Sequence, residues 1–344
     1  MKLHTCLILL GCLIAAGCGG PSGDTPGGTP PAGPEPADAA APADQQAAAP
    51  ATNGPIKVAF VTNNTSDFWT IAEAGTKKAA SELGCTVLFR KPSMGTAQEQ
   101  QAIIEDVIVS GATGVAISPN DPLNWTETLN KFAEKVNLVT QDSDAPDSNR
   151  VCYIGTNNYD AGVAAAELIK KSLPAGGKIM MFVGQLDAQN AQDRMRGIEE
   201  TLAGTNISII NTLTDETDRA KAMANVQDTL VTNPDVACLV GLWSYNGPAI
   251  LNGVRDSGKL GQVKIVCFDE EEETLLGVAE GHIEGTIVQQ PFEFGYQSVR
   301  LLVQLAKGDR SGVPESKQLF VPVKTITKEN VDEFRATLSE QIGR

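Results

Sequence analysis

From Ile56 onward the chain alternates short, β-branched apolar runs with longer segments whose apolar residues recur at helical spacing. Short apolar runs bounded by turn residues read as strands buried on both faces of a parallel sheet. The first series is Lys57–Val61, Thr86–Phe89, Gly114–Ile117, Asn137–Thr140 and Val151–Ile154, with helical stretches such as Thr96–Ser110 and Leu123–Lys135 between them. A second series opens at Lys178-Ile-Met-Met-Phe-Val-Gly and runs through Ile207–Thr212, Ala237–Gly241, Lys264–Phe268 and Gly285–Gln289. Its helices are expected at Asn190–Ala203, Arg219–Val231, Gly247–Ser257 and Glu272–Glu280. Lys57-Val-Ala-Phe-Val and Lys178-Ile-Met-Met-Phe-Val open the two series alike, so the pattern predicts an α/β protein of two doubly wound lobes with parallel sheets. The remaining pieces, Phe292–Lys307, Gln318–Val323 and Lys328–Ile342, are too small for a domain and are expected to be shared between the lobes. A chain that crosses between lobes more than once makes a hinge.

In open α/β sheets, ligands bind in the crevice at the strand C-terminal ends. After Lys57–Val61 come Thr62, Ser66, Phe68 and Trp69, hydroxyl groups beside two adjacent aromatics. That set suits a small polyhydroxylated ligand, the rings meeting C–H surfaces and the polar groups meeting hydroxyls. The same loop reads equally well as a turn followed by two core aromatics.

Composition narrows the setting. Of 344 residues, 42% are hydrophobic and 20% charged, and the formal net charge of -15 argues against nucleic acid or an anionic membrane surface as partner. Met1-Lys2 and the apolar run Leu3–Ala16 match a signal peptide, too short for a comfortable membrane span. The run ends Ala15-Ala16-Gly17-Cys18, which resembles a bacterial lipobox, so residues 1–17 are expected to be removed and Cys18 lipidated, giving a periplasmic or cell-envelope protein anchored to a membrane. Cys12 is a competing acceptor, and a plain secretory signal would also export the chain. Residues 18–55, rich in Pro, Ala and Gly, read as a disordered tether. Beyond the leader, Cys85, Cys152, Cys238 and Cys267 sit beside or within apolar runs and read as buried free thiols. With no C-x-x-C and only His4 and His282, no metal or other cofactor is expected.

Residues 56 to 309 resemble the type I periplasmic sugar-binding proteins of ABC importers, the ribose- and galactose-binding group. The resemblance is carried by Lys57-Val-Ala-Phe-Val-Thr followed by Asp67-Phe-Trp, Leu138-Val-Thr-Gln-Asp-Ser-Asp-Ala-Pro-Asp-Ser, and Tyr153-Ile-Gly-Thr-Asn-Asn-Tyr-Asp-Ala-Gly. Asp193-Arg-Met-Arg-Gly, Asn233-Pro-Asp-Val, Val266-Cys-Phe-Asp and Gly285-Thr-Ile-Val-Gln-Gln-Pro follow in the family's order. It implies two Rossmann-like lobes joined by a multi-strand hinge, residues 56–155 with 290–317 forming one and 156–289 with 318–344 the other.

The same resemblance implies a cleft ligand held by Thr62, Ser66, Phe68, Trp69, Asp142, Arg194, Trp243, Asp269 and Gln289. Read without it, Asp142 is a turn-initiating residue, Arg194 a solvated helix residue, Trp243 a core ring and Asp269 a helix N-cap ahead of a solvated acidic run, Glu270 to Glu273. Two departures from the ribose binders stand out: Ser143 where they carry Arg, and Trp243 where they carry Asn, a ring better suited to stacking on an apolar sugar face. Asp144 is a candidate replacement for the lost polar contacts.

The function expected from the resemblance is the substrate-binding component of a carbohydrate importer. It is a monomer that closes two lobes around one small sugar and delivers it to ABC permease subunits. The alternative is a sugar-sensing receptor that signals to a chemoreceptor or membrane kinase. No GxxxxGK[ST] element supplies an ATPase here, and no nucleophile–base spacing supports an enzyme.

Overall fold

The computed structural model describes residues 55–343. The expected signal peptide at 1–17, the lipidated Cys18 and the tether up to residue 54 lie outside the described residues. Two parallel sheets carry the fold. The first has the order β11-β5-β4-β3-β1-β2, formed by β1 (Lys57–Val61), β2 (Thr86–Arg90), β3 (Gly114–Ile117), β4 (Asn137–Gln141), β5 (Cys152–Gly155) and β11 (Gln318–Phe320). The second has the order β12-β10-β9-β8-β6-β7, from β6 (Gly177–Val183), β7 (Ile207–Thr214), β8 (Val236–Gly241), β9 (Lys264–Phe268), β10 (Gly285–Val288) and β12 (Lys324–Ile326), which alone runs antiparallel to its neighbour. Strand by strand the two orders correspond, so the repeat read from the opening runs extends through the whole sheet. Central strands such as β3 and β5 are buried at every position, as strands covered by helices on both faces must be.

Two helix crossings, one in each lobe, depend on glycine. In the first lobe, α1 (Phe68–Leu83) packs on α9 (Pro291–Ala306), where a Cβ on Gly75 would overlap the Phe292 carbonyl and one on Gly295 that of Ala72. In the second, α4 (Asn158–Ser172) packs on α5 (Gln189–Leu202), where a Cβ on Gly162 would overlap the Arg194 carbonyl and one on Gly197 that of Tyr159. Backbones at these crossings approach as closely as only glycine permits. The buried thiols Cys152, Cys238 and Cys267 are free, and so is the partly exposed Cys85.

Three crossovers join the lobes: β5 leads into α4, β10 into α9, and β11 into β12. They brace one another, since Val321 N–H donates to the Gly155 carbonyl at 2.8 Å and Gln290 Nε2 to that of Pro322 at 2.6 Å. The lobe boundary expected at 317/318 is corrected here. Gln318–Phe320 extends the first sheet, because the Arg150 guanidinium donates to the Lys317 carbonyl at 2.8 Å and Tyr153 N–H to the same carbonyl at 2.9 Å, aligning β11 with β5. Asp144, expected near the ligand, instead holds Arg150 through Nη2 to Oδ2 at 2.6 Å and accepts from the Thr140 hydroxyl at 2.6 Å. It is an anchor of this strut. The last helix, α10 (Val331–Ile342), lies on α8 (Glu272–Glu280) and reaches α1 of the first lobe.

Gly162→Ala is expected to destabilise the protein by about 1–3 kcal/mol through overpacking. Urea unfolding checks this; an unchanged midpoint would mean that α4 and α5 do not meet backbone to backbone.

Candidate functional site

The site is built from strand C-termini of both sheets. β4 and β9 hold the same place in their sheets, and each is followed by an aspartate with positive φ, Asp142 at 60° and Asp269 at 66°. Non-glycine residues rarely adopt that conformation, although Asp tolerates it better than most, and it concentrates at functional positions. Backbone bonds enforce it. Asp142 N–H donates to the Ile154 carbonyl at 3.1 Å while the buried Tyr153 hydroxyl donates to the Asp142 carbonyl at 2.9 Å. Asp269 N–H donates to the Ile287 carbonyl at 2.9 Å, and the Thr286 hydroxyl to the Asp269 carbonyl at 2.7 Å.

Arg194, on α5, is 1% exposed. Its Nε donates to Asn158 Oδ1 at 2.9 Å and its Nη1 to the Leu242 carbonyl at 2.6 Å, while Cζ lies 4.4 Å from the centroid of the Phe268 ring. The guanidinium is thus fixed in plane over an aromatic face, with Nη2 left for the cleft. Asp142 Oδ2 accepts from the Ser118 hydroxyl at 2.8 Å, and Asp269 Oδ1 from Gln289 Nε2 at 2.9 Å. Every hydrogen bond of Asp142 stays in the first lobe, and those of Arg194 and Asp269 stay in the second. What passes between the walls is charge.

Burial pushes the Asp142 carboxyl up to about 6; the Ser118 bond and the Arg194 charge pull it back, and Asp269 pushes it further up. Asp269 is likewise raised by burial, against the pull of Arg194 and of Gln289. Burial lowers the Arg194 guanidinium, and the two aspartates raise it. Two carboxylates and one guanidinium therefore share one poorly solvated space.

The other expected residues divide. Ser66 and Phe68 line a cavity of about 710 Å³ that meets this group at Asp269 and continues past Ser244 and Glu270 toward Leu338 of α10. Trp243 lies partly buried after β8, its ring over Gly184 and edge-on to Tyr245 at 6.4 Å, with a buried Nε1 that has no acceptor. Tyr245 is itself held by its hydroxyl on the fully buried Asp215. Trp69 and Thr62 are corrected. Trp69 is 1% exposed, set at 6.2 Å from Phe60 and 4.9 Å from Phe68, and its indole N–H donates to Asn63 Oδ1 at 3.0 Å. The Thr62 hydroxyl, also buried, donates to the Asn64 carbonyl at 2.7 Å. Both shape the loop from within and present no free group to the cleft. Asp269 is not a helix cap either: Glu271 holds the N-cap position of α8. The acidic run is not wholly solvated, since Glu270 is buried.

Ser118, Asn158 and Tyr153 were not anticipated. Ser118 directly follows β3, and the strand-end rule applied to every strand of the first sheet would have found it. Asn158 and Tyr153 act through Arg194 and a backbone carbonyl, contacts that no sequence spacing encodes.

Residues 58–310 match the model of the periplasmic binding protein domain. The chain belongs to the periplasmic binding protein family. This periplasmic binding protein is 25% identical over 252 residues to the ribose import binding protein RbsB of Escherichia coli K12, covering 73% of this chain and 84% of that protein. Among solved structures it is similar to an ABC transporter solute-binding protein of Burkholderia graminis C4D1M in complex with D-arabinose, with 30% identity, a TM-score of 0.75 and coverage of 82% of this chain and 97% of that one. It is also similar to XylFII solved in a complex with LytSN, with 25% identity, a TM-score of 0.72 and coverage of 80% and 98%. Among the described residues no helix is long and apolar enough to cross a membrane.

The raised Asp142 has a consequence for stability. Its folded carboxyl holds a proton more tightly than the ordinary 3.8, so its contribution to the empty protein is fully present below about pH 4 and lost as the pH rises through 6. An amide does not titrate. The melting temperature of Asp142→Asn relative to the native protein, measured without sugar by scanning calorimetry, is expected to rise from pH 4 to pH 7; a constant difference would place the carboxyl in the ordinary range.

Proposed function

We propose that this protein is the substrate-binding component of a carbohydrate ABC importer, closing its lobes around one small sugar or polyol and delivering it to the permease. The observation that carries the reading is the group Asp142, Arg194 and Asp269, gathered from both lobes yet hydrogen-bonded only within each. Vicinal hydroxyls are the groups that complete it. They donate to carboxylate oxygens and accept from Arg194 Nη2, each charge-assisted bond contributing about 1.5–3 kcal/mol. Phe68 and Trp243 offer apolar faces to the ring's C–H surfaces, one from each lobe, and Ser66 and Gln289 complete the polar set. The ribose and D-arabinose in the names of the relatives favour a pentose or hexose of similar size.

A ligand touching both lobes lowers the free energy of the closed form by the contacts it makes only there. The crossovers at Thr156-Asn157, Gln289-Gln290 and 321–323 take up the movement. The role is binding without chemistry. A lipid on Cys18 would tether the protein beside its permease. A second reading, in which the closed form is recognised by a sensor protein instead, is favoured by the similarity to XylFII, solved bound to a second protein.

Calorimetry with a panel of pentoses, hexoses and polyols tests the reading. At least one is expected to bind, and Asp142→Ala to weaken it by about 100-fold or more while the protein stays folded, two charge-assisted bonds being lost. A folded Asp142→Ala protein with native affinity would overturn the assignment. Loss of uptake of that sugar in a deletion strain supports import; retained uptake supports the second reading.

A further inference from the structure

Glu270 follows Asp269 directly and lines the 710 Å³ cavity that opens from the sugar site. It is 8% exposed, and neither carboxyl oxygen has a hydrogen-bond partner. Native interiors seldom leave such a group unanswered, because an unpaired buried carboxyl loses its hydration without replacement. No side chain around it supplies the missing charge. Arg219, at the start of α6 (Arg219–Thr232), also lines the cavity but is held by Glu271 at 2.9 Å, and Arg335 of α10 lines it without pairing to Glu270. The remaining ionisable groups lining the space, Asp67 before α1, Asp269, Glu271, Glu272 and Glu273, are all acids. Burial, reinforced by Asp269 and Glu271, raises the Glu270 carboxyl well above its usual range.

With Asp142 and Asp269, Glu270 makes three buried or part-buried carboxyls against the buried guanidinium of Arg194, because Arg219 is taken by Glu271 and Arg335 makes no bond to Glu270. A neutral sugar answers hydrogen bonds but not this imbalance. A metal ion is not the natural complement, since no three His, Cys, Asp or Glu side chains among the described residues converge as a ligand set. An ammonium group is, because it supplies both the charge and the donors, and the space beside Asp269 accommodates a ring substituent.

We propose that Glu270 forms a charge-recognition subsite in the cleft, which takes the protonated amine of an amino sugar or aminopolyol whose ring is held by Asp142, Arg194 and Asp269. The inference rests on the sugar-binding reading above and names its ligand class. Binding converts the Glu270 acid and the ammonium ligand into a carboxylate–ammonium pair and releases one proton to solvent.

The test is calorimetry on the full chain with matched probes: hexoses and inositol, each paired with its monoamino derivatives at every ring position and at C6. At least one amine is expected to bind tenfold or more tightly than its hydroxyl parent. Its heat at pH 7 is expected to vary with the ionisation enthalpy of the buffer, as proton release requires. In Glu270→Gln, and in Glu270→Ala as a second variant, the preference should fall to within about threefold of unity and the buffer dependence disappear, with folding verified by circular dichroism. Parent sugars that bind through Asp142 with no amine preferred leave the sugar reading standing and overturn the subsite. A preference unchanged in both variants overturns it too. If neither parents nor amines bind the native protein, the sugar reading itself fails and the subsite falls with it.

Discussion

One guanidinium between two equivalent aspartates is the interaction on which the molecule turns. Asp142 and Asp269 occupy the same position in two repeated sheets, both forced into a left-handed backbone, and both are taken out of water. Two such carboxylates would repel one another in a poorly solvated space; Arg194 makes the pair tolerable, and its own burial is tolerable only because they are there. Its placement reaches deep into the second lobe. The α4–α5 crossing that brings Asn158 to its Nε depends on Gly162, and the Phe268 face beneath it ends the strand that carries Asp269.

Because each wall of the cleft satisfies its polar groups only in part and only locally, the lobes have little polar reason to stay together without a third body. That is how a hinge protein becomes a ligand detector: closure is coupled to occupancy when the ligand supplies the bonds that the two walls do not make to each other. The crossovers are held in register by backbone bonds and by the Arg150–Asp144 pair, which ties β5 to the Lys317 carbonyl. Such a strut keeps the strand ends in place while the torsions between the lobes change.

Much of this is legible in the chain. Continuous apolar runs mark strands buried on both faces, and their repetition reveals two similar lobes. The strand-end rule then brings Asp142, Asp269 and Gln289 to one place. What sequence leaves undecided is which of two adjacent groups faces the cleft. Trp69 follows Phe68 with equal aromatic character, yet helix geometry turns its ring onto Phe60 and its N–H onto Asn63. Asp144 lies two residues from Asp142 and is claimed by Arg150, a partner recognisable only once β5 is paired. Glu270 sits in an acidic run that reads as solvated, yet it is buried beside Asp269 at the end of β9, a placement that the run's composition does not encode. The β11 boundary was misplaced because a three-residue strand carries no period of its own.

The position of a bound sugar tests the cleft most directly. A crystal structure of the protein grown with the tightest-binding member of a sugar panel is predicted to show the ring between the lobes, with hydroxyl oxygens within hydrogen-bond distance of the Asp142 and Asp269 carboxylates and of Arg194 Nη2. A sugar held by one lobe alone, or seated away from all three side chains, would contradict it.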